Sequence, residues 1–173
     1  PAWRCPECGS TEVRSGIVGA TTTAAELGRA FPDVPVVDSS GNHVRESVDS
    51  TPRLVVATPG AEPAPESGYA CVVILDAVSS LSRPGLATVE QTVDRWMTIL
   101  SLVRSVRDGG RAVVVGPSEN AALQAMVRND PIGWATREFA DRREARFPPA
   151  VACGIVDGNP KAVASAAQRL REW

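Results

Sequence analysis

The sequence predicts an α/β protein built on a parallel sheet. Three observations carry that prediction. Short apolar runs of strand length recur: VPVV (Val34 to Val37), RLVVAT (Arg53 to Thr58), YACVVILD (Tyr69 to Asp76) and RAVVVG (Arg111 to Gly116). The later runs lack polar alternation, the pattern of strands covered on both faces. Stretches of helical period separate them, and strands alternating with helices pair in parallel.

Taken in order, residues 1 to 16 are rich in Cys, Gly, Pro and Ser and offer little core. TTTAAELGRAF (Thr21 to Phe31) reads as a helix, with Glu26 three places after Thr23 as in a capping box and Leu27, Ala30 and Phe31 on one face. Asp38 to Pro52 is polar and turn-rich, a loop with one helical turn. Pro59 to Gly68 is a Pro-rich loop. A long helix is predicted over Ala87 to Arg107, where Trp96, Ile99, Leu100, Val103 and Val106 recur at helical spacing, and Asp108 to Gly110 ends it. Ser118 caps a helix to Val127. Gly133 to Arg146 forms another, broken by Phe147 to Pro149. Ala150 to Gly158 is a strand and turn, followed by a helix with Asn159 as cap and Pro160 at its first position. One strand and one helix make an incomplete unit, so a new domain begins near Pro148.

The chain has 173 residues, 43% hydrophobic and 22% charged, which is globular composition. The net charge of −2 gives no global positive field, so any nucleic-acid contact must be local. All of the 18 basic residues are arginine except Lys161. A GC-rich genome explains that bias more simply than guanidinium recognition of phosphate. No apolar run is long enough to cross a membrane and no signal peptide is seen, so the expected compartment is the cytoplasm. The chain starts at Pro1 rather than Met, as expected of a piece of a longer protein.

The strongest local chemistry is WRCPECGS (Trp3 to Ser10). Cys5 and Cys8, two residues apart and followed by Gly9, form a zinc knuckle: the turn aims two thiolates at one ion and Gly removes bulk from the bend. Tetrahedral zinc needs two more ligands. Cys71 and Cys153 are expected in buried strands as small hydrophobes. His43, the one histidine, sits in a polar loop as a solvated side chain. The remaining ligands are therefore expected upstream of Pro1. The alternatives are two free thiols and a thioredoxin-like redox pair, the latter disfavoured because the CxxC does not open a helix after a strand.

Asp76 closes a strand, where a turn cap is more common than a catalytic carboxylate. No GxxxxGK[ST], GxGxxG or nucleophile elbow is present. Arginines cluster twice, at Arg104, Arg107 and Arg111 and at Arg137, Arg142, Arg143 and Arg146, the second set interleaved with Glu138, Asp141 and Glu144. Complementing the helix dipole and pairing on the surface accounts for most of them. Arg104, Arg107, Arg142 and Arg143 remain as candidate DNA contacts.

The order of these pieces is specific. A CPxCGS knuckle precedes a helix ending LGRAFPDVPV, then LVVATPGAEP, ILD and FADRREARFPP. This resembles the C-terminal half of the PriA (primosomal protein N′) replication-restart helicase family, in its actinobacterial form. The similarity runs through nearly the whole chain. It implies three parts: the end of a zinc-binding module (1–16), a second RecA-like helicase lobe (17–147) and the start of an α+β C-terminal domain (148–173). It also implies zinc at Cys5 and Cys8, shared with an upstream cysteine pair. Forked or D-loop DNA, single-stranded DNA, single-stranded-DNA-binding protein and replisome-loading proteins are the partners it implies.

The departures from that family are equally specific. Pro59 stands where helicase-active relatives carry Gln, and Pro63 and Ala64 stand where they carry Lys-Gly. Thr98, Ser101, Leu102, Arg104 and Ser105 fall where QxxGRxGR supplies arginines to the ATP γ-phosphate. Arg104 is one place out of register. An arginine finger is worth on the order of 10³ in rate or more. The expectation is a fork-binding scaffold with degenerate motor motifs, no catalytic residue and doubtful ATP binding. The alternatives are an active 3′-5′ helicase with Arg104 as displaced finger, and a zinc-knuckle α/β module with an unknown partner.

Overall fold

The computed structural model describes residues 4–11, 19–75 and 77–171. The chain divides into two compact units, one of Pro1–Leu75 with Arg95–Val115, the other of Asp76–Asp94 with Gly116–Trp173.

In the first unit, helix α1 (Ala20–Ala30) precedes strand β1 (Val36–Ser39), then β2 (Ser47–Val48), β3 (Leu54–Ala57), β4 (Ala64–Pro65), β5 (Cys71–Ile74) and β6 (Arg111–Val114). Every described ladder is parallel, as predicted, but the strands pair as three separate couples, β1 with β3, β2 with β4 and β5 with β6. Val36 registers with Leu54 and Ser39 with Ala57. Beyond Ser39 and Ala57 both strands leave the ladder, and the segments that follow them pair separately as β2 and β4. The polar stretch after Asp38 thus contributes a two-residue strand where a helical turn was expected.

Helix α1 starts before the expected capping box. Thr23 lies inside the helix, its amide donating to Gly19, and the helix has no side-chain cap. Thr21 instead donates from Oγ1 to Asp38 Oδ2 at 2.8 Å, tying the helix to the end of β1.

The β5–β6 pair corrects the expectation of strands covered on both faces. Alternate residues face outward, leaving Val73 51%, Leu75 61%, Val113 48% and Val115 51% exposed. Continuous apolar sequence reads as full burial, but the period of two divides β5 into two faces, and in β6 Arg111, Ala112 and Val113 are all exposed.

Helix α3 (Thr88–Ser101) is shorter than its sequence period. Its apolar stripe holds where Val93 and Trp96 are buried. After Ser101 the backbone pairs instead with the residue before β5: Tyr69 N donates to Leu102 O at 2.8 Å and Arg104 N to Tyr69 O at 3.0 Å. Those bonds outcompete the next helical turn. A short 3-10 turn (Val106–Asp108) follows, with Val106 88% exposed rather than in the core. Gly110 is required here, since a Cβ would lie 1.9 Å from the Arg104 carbonyl oxygen.

The second unit is helical: α2 (Ala77–Leu81), the first half of α3, α4 (Ala121–Arg128), α5 (Pro131–Glu144) and α6 (Pro160–Arg171). The short α2 was not predicted. Its core is Ala77, Val93, Ala122, Leu123, Ala125, Met126 and Trp134. Asn120, not Ser118, caps α4, its Oδ1 accepting from Ala122 N and Leu123 N. Asp130 caps α5 by accepting from Gly133 N at 2.8 Å, with Pro131 at the first position. Ala150 to Gly158 forms no strand, and Ile155 is 87% exposed. An isolated strand has no partner for its backbone groups.

Candidate functional site

Cys5 and Cys8 sit on a tight turn. Cys5 N donates to Ser10 O and Gly9 N donates to Cys5 O, both at 2.9 Å. Gly9 adopts φ +70°, a conformation that favours glycine, which explains the Gly after the second cysteine. The Cys8 amide, then the Glu7 amide, then the Cys8 side chain hydrogen-bond the Cys5 sulfur and hold its thiol below the usual range. Amide donors aimed at a sulfur favour the thiolate, which is the metal-binding form. The turn thus fits half of a tetrahedral site. Among the described residues no group of three or more His, Cys, Asp or Glu could hold a metal.

The other sulfurs are not where the sequence put them. Cys71 is exposed, on the same outward face of β5 as Val73, and Cys153 is exposed on a segment that forms no strand. Both are therefore surface thiols rather than core hydrophobes. His43 is exposed in its loop, as expected. Asp76 lies outside the described residues.

The candidate arginines separate into two kinds. In the first unit, Arg104 donates from Nε to Ser67 O at 3.2 Å and Gly68 O at 3.0 Å. Gly68, at φ +76°, makes room for the Arg104 stem. Arg107, three residues on, is exposed on the 3-10 turn and makes no ion pair with a described residue.

In the second unit, Arg142 is only 12% exposed and engages its whole guanidinium internally. Nε donates to Glu138 Oε1 at 2.7 Å, Nη1 to Pro148 O at 2.8 Å and Nη2 to Leu86 O at 2.7 Å. Glu90 Oε2 lies 2.8 Å from Nη2. That oxygen is buried, and its contact with the guanidinium is off-angle, so it pairs with Arg142 by charge and by a poorly directed bond. The Glu138 carboxylate above all, and Glu90 with it, raises the Arg142 pKa. Leu86, Ala87, Glu90, Arg142, Pro148 and Pro149 line a cavity of about 250 Å³ beside the network. Neighbouring Arg143 is exposed and makes no ion pair with a described residue. The Glu138–Arg142 spacing of four is the sequence signal for this clamp. The carbonyl partners at Leu86 and Pro148 had none.

Short parallel strands and flanking helices, with a CxxC turn ahead of them in the chain, define an α/β protein without a phosphate-cradling loop among its described residues. No family model matches the chain. The chain is 44% identical over 168 residues to the protein named "Probable replication restart protein PriA" in Mycobacterium leprae, a match covering 97% of this chain and 26% of that protein. It is also 44% identical over 158 residues to the proteins of the same name in Mycobacterium tuberculosis and Mycobacterium bovis, covering 91% of this chain and 24% of each. The chain is thus a relative of PriA, as its sequence indicates, and spans about a quarter of the length of those proteins. No helix among the described residues is long and apolar enough to cross a membrane.

Proposed function

We propose that this chain is the part of a replication-restart protein that binds forked or D-loop DNA and scaffolds replisome reloading, without unwinding DNA itself. The observation that carries this reading is the match to PriA over nearly the whole chain. In this reading residues 17–147 act as a RecA-like lobe that has lost its motor, 148–173 open a further domain, and single-stranded-DNA-binding and loading proteins dock on the assembly in the cytoplasm. The loss of the motor is supported by Pro59, Pro63 and Ala64 in the loop after β3, and by the segment Thr98 to Ser105 without its Gly-Arg pairs. Arg104 is a poor finger, because its Nε is turned onto the carbonyls of Ser67 and Gly68.

Zinc fits the knuckle. Cys5 and Cys8 would supply two thiolates, and two further ligands from outside the described residues would close a tetrahedral structural site. Such an ion would order the turn and lend it roughly 10–16 kcal/mol of binding. Of the four candidate arginines, Arg107 and Arg143, exposed and without an ion pair to a described residue, are the two left to meet phosphate.

The test uses the full-length parent protein. Fluorescence anisotropy should show binding to a forked duplex, and no DNA-stimulated ATP hydrolysis should accompany it. Hydrolysis stimulated by fork DNA and abolished by Arg104→Ala would overturn the reading in favour of an active helicase. Elemental analysis should find zinc in the parent, reduced in Cys5→Ser.

A further inference from the structure

The deepest point of the first unit is not a helix–sheet contact but the loop after β3. Ser39 and Pro63 are fully buried, and Ala61 is 6% exposed. In α/β folds the loops at the carboxyl ends of parallel strands are where ligands are received. Here that segment, Thr58 to Glu66, is a loop that runs into β4, folded back against the end of β1 and held at its far end by the β2–β4 ladder.

Three side chains latch it. Ser39 Oγ donates to Ala61 O at 2.6 Å and accepts from Arg45 N at 3.0 Å, bridging the gap between the two parallel ladders. Tyr69 donates its hydroxyl to Pro63 O at 2.8 Å. Glu62 accepts from Gly60 N at 2.9 Å through Oε2, which also meets Arg95 Nη1 at 3.4 Å. The backbone completes the closure. Thr58 N donates to Ser39 O, Ala61 N to Thr58 O, Ala64 N to Glu46 O and Glu66 N to Val48 O. Pro59, Pro63 and Pro65 have no amide to offer.

An anion-receiving loop needs the reverse: free amides turned toward the ligand, with no carboxylate among them. We propose that Thr58 to Glu66 is a closed loop, latched by Ser39, Glu62 and Tyr69, which fills the carboxyl edge of β1 and β3 and excludes a nucleotide phosphate from it. The loop is a fixed part of the core and does not change conformation with nucleotide. This deepens, and rests on, the reading of the chain as a DNA-binding lobe without a motor.

Amide hydrogen exchange on the full-length parent protein tests it, with and without ATP and Mg²⁺. Ala61, Ala64 and Glu66 should exchange about 100-fold slower than unprotected amides, with or without nucleotide. Tyr69→Phe and Glu62→Ala should each speed exchange across 58–66 about tenfold, while the β5 amides of 71–74 stay protected. Should Glu62→Ala loosen β5 as well, Tyr69→Phe decides, since it removes one hydroxyl and no volume. A nucleotide-dependent change in the loop of the unaltered chain would overturn the proposal. So would loop protection untouched by Tyr69→Phe. Fork-DNA affinity of the full-length parent is read separately, so failure of the DNA reading leaves the exchange result standing.

Discussion

Arg142 and Arg143 are neighbours in the chain and opposites in the structure. One holds Glu138, Glu90, Leu86 and Pro148 together, and the other extends into solvent. Arg104 and Arg107, both exposed, repeat part of the contrast in the first unit, one bonded to the Ser67–Gly68 backbone and one without an ion pair to a described residue. Successive helical residues lie about 100° apart, so one step along α5 moves a guanidinium from an internal cleft to the surface. The difference teaches that a cluster of arginines in a sequence is not a basic patch. Half of each candidate pair is architecture, and only the other half is surface able to meet a partner.

The largest effect expected from this contrast is on stability. Arg142→Ala should cost about 2 kcal/mol in urea unfolding, because it strands two carboxylates and two carbonyls. The partners Glu138 and Glu90 are 28% and 35% exposed, which keeps the cost below that of a fully buried pair. Arg142→Lys should recover only part, since an ammonium cannot reproduce the planar fork. A loss under about 0.5 kcal/mol would erase the distinction between the two arginines. Arg104→Ala should follow with about 1 kcal/mol, the worth of one guanidinium bonded to exposed carbonyls.

Much of this was legible beforehand, and the gaps have physical causes. Strands β3, β5 and β6 fall within the apolar runs because apolar β-branched runs suit few other structures, while β1 starts inside its run at Val36 and continues two residues past it to Ser39. The end of α3 was missed by six residues, because the competitor was a backbone partner at Tyr69, remote in sequence. Period alone cannot show such a partner. The cap of α4 moved from Ser118 to Asn120, both good caps, and local sequence does not choose between them. The Cys5–Cys8 turn was readable because its bonds lie within six residues. The latched loop was invisible, since Ser39 and Ala61 meet only once β1 and β3 are in register.

The other member of each pair should behave in the opposite way. Arg143→Ala and Arg107→Ala should leave unfolding within about 0.5 kcal/mol of the unaltered chain. In the full-length parent each should weaken fork binding a few-fold and reduce the slope of log affinity against log salt by about one. Weakened binding with an unchanged salt slope would mean that these side chains do not meet phosphate. A loss of stability would place them in the architecture with Arg142 and Arg104.

Arg53 supplies the smallest and sharpest case, an arginine paired with a carboxylate at the surface. Asp49 accepts from Thr51 N at 2.8 Å and contacts Arg53 Nη2, with its side chain 60% exposed. Its pKa is lowered to about 2, by Thr51 first, through hydroxyl and amide, and by Arg53 only after that. The folded value lies below the unfolded one of about 3.9, so the charged form favours the folded chain. That contribution is complete above the unfolded value and disappears as pH falls toward 2. Carboxyl titration by NMR should place the Asp49 midpoint near 2. Thr51→Ala should raise it more than Arg53→Ala does. The reverse order would make the ion pair dominant, and would give a pair with an exposed carboxylate the weight that the comparison of Arg142 with Arg143 reserves for an enclosed network.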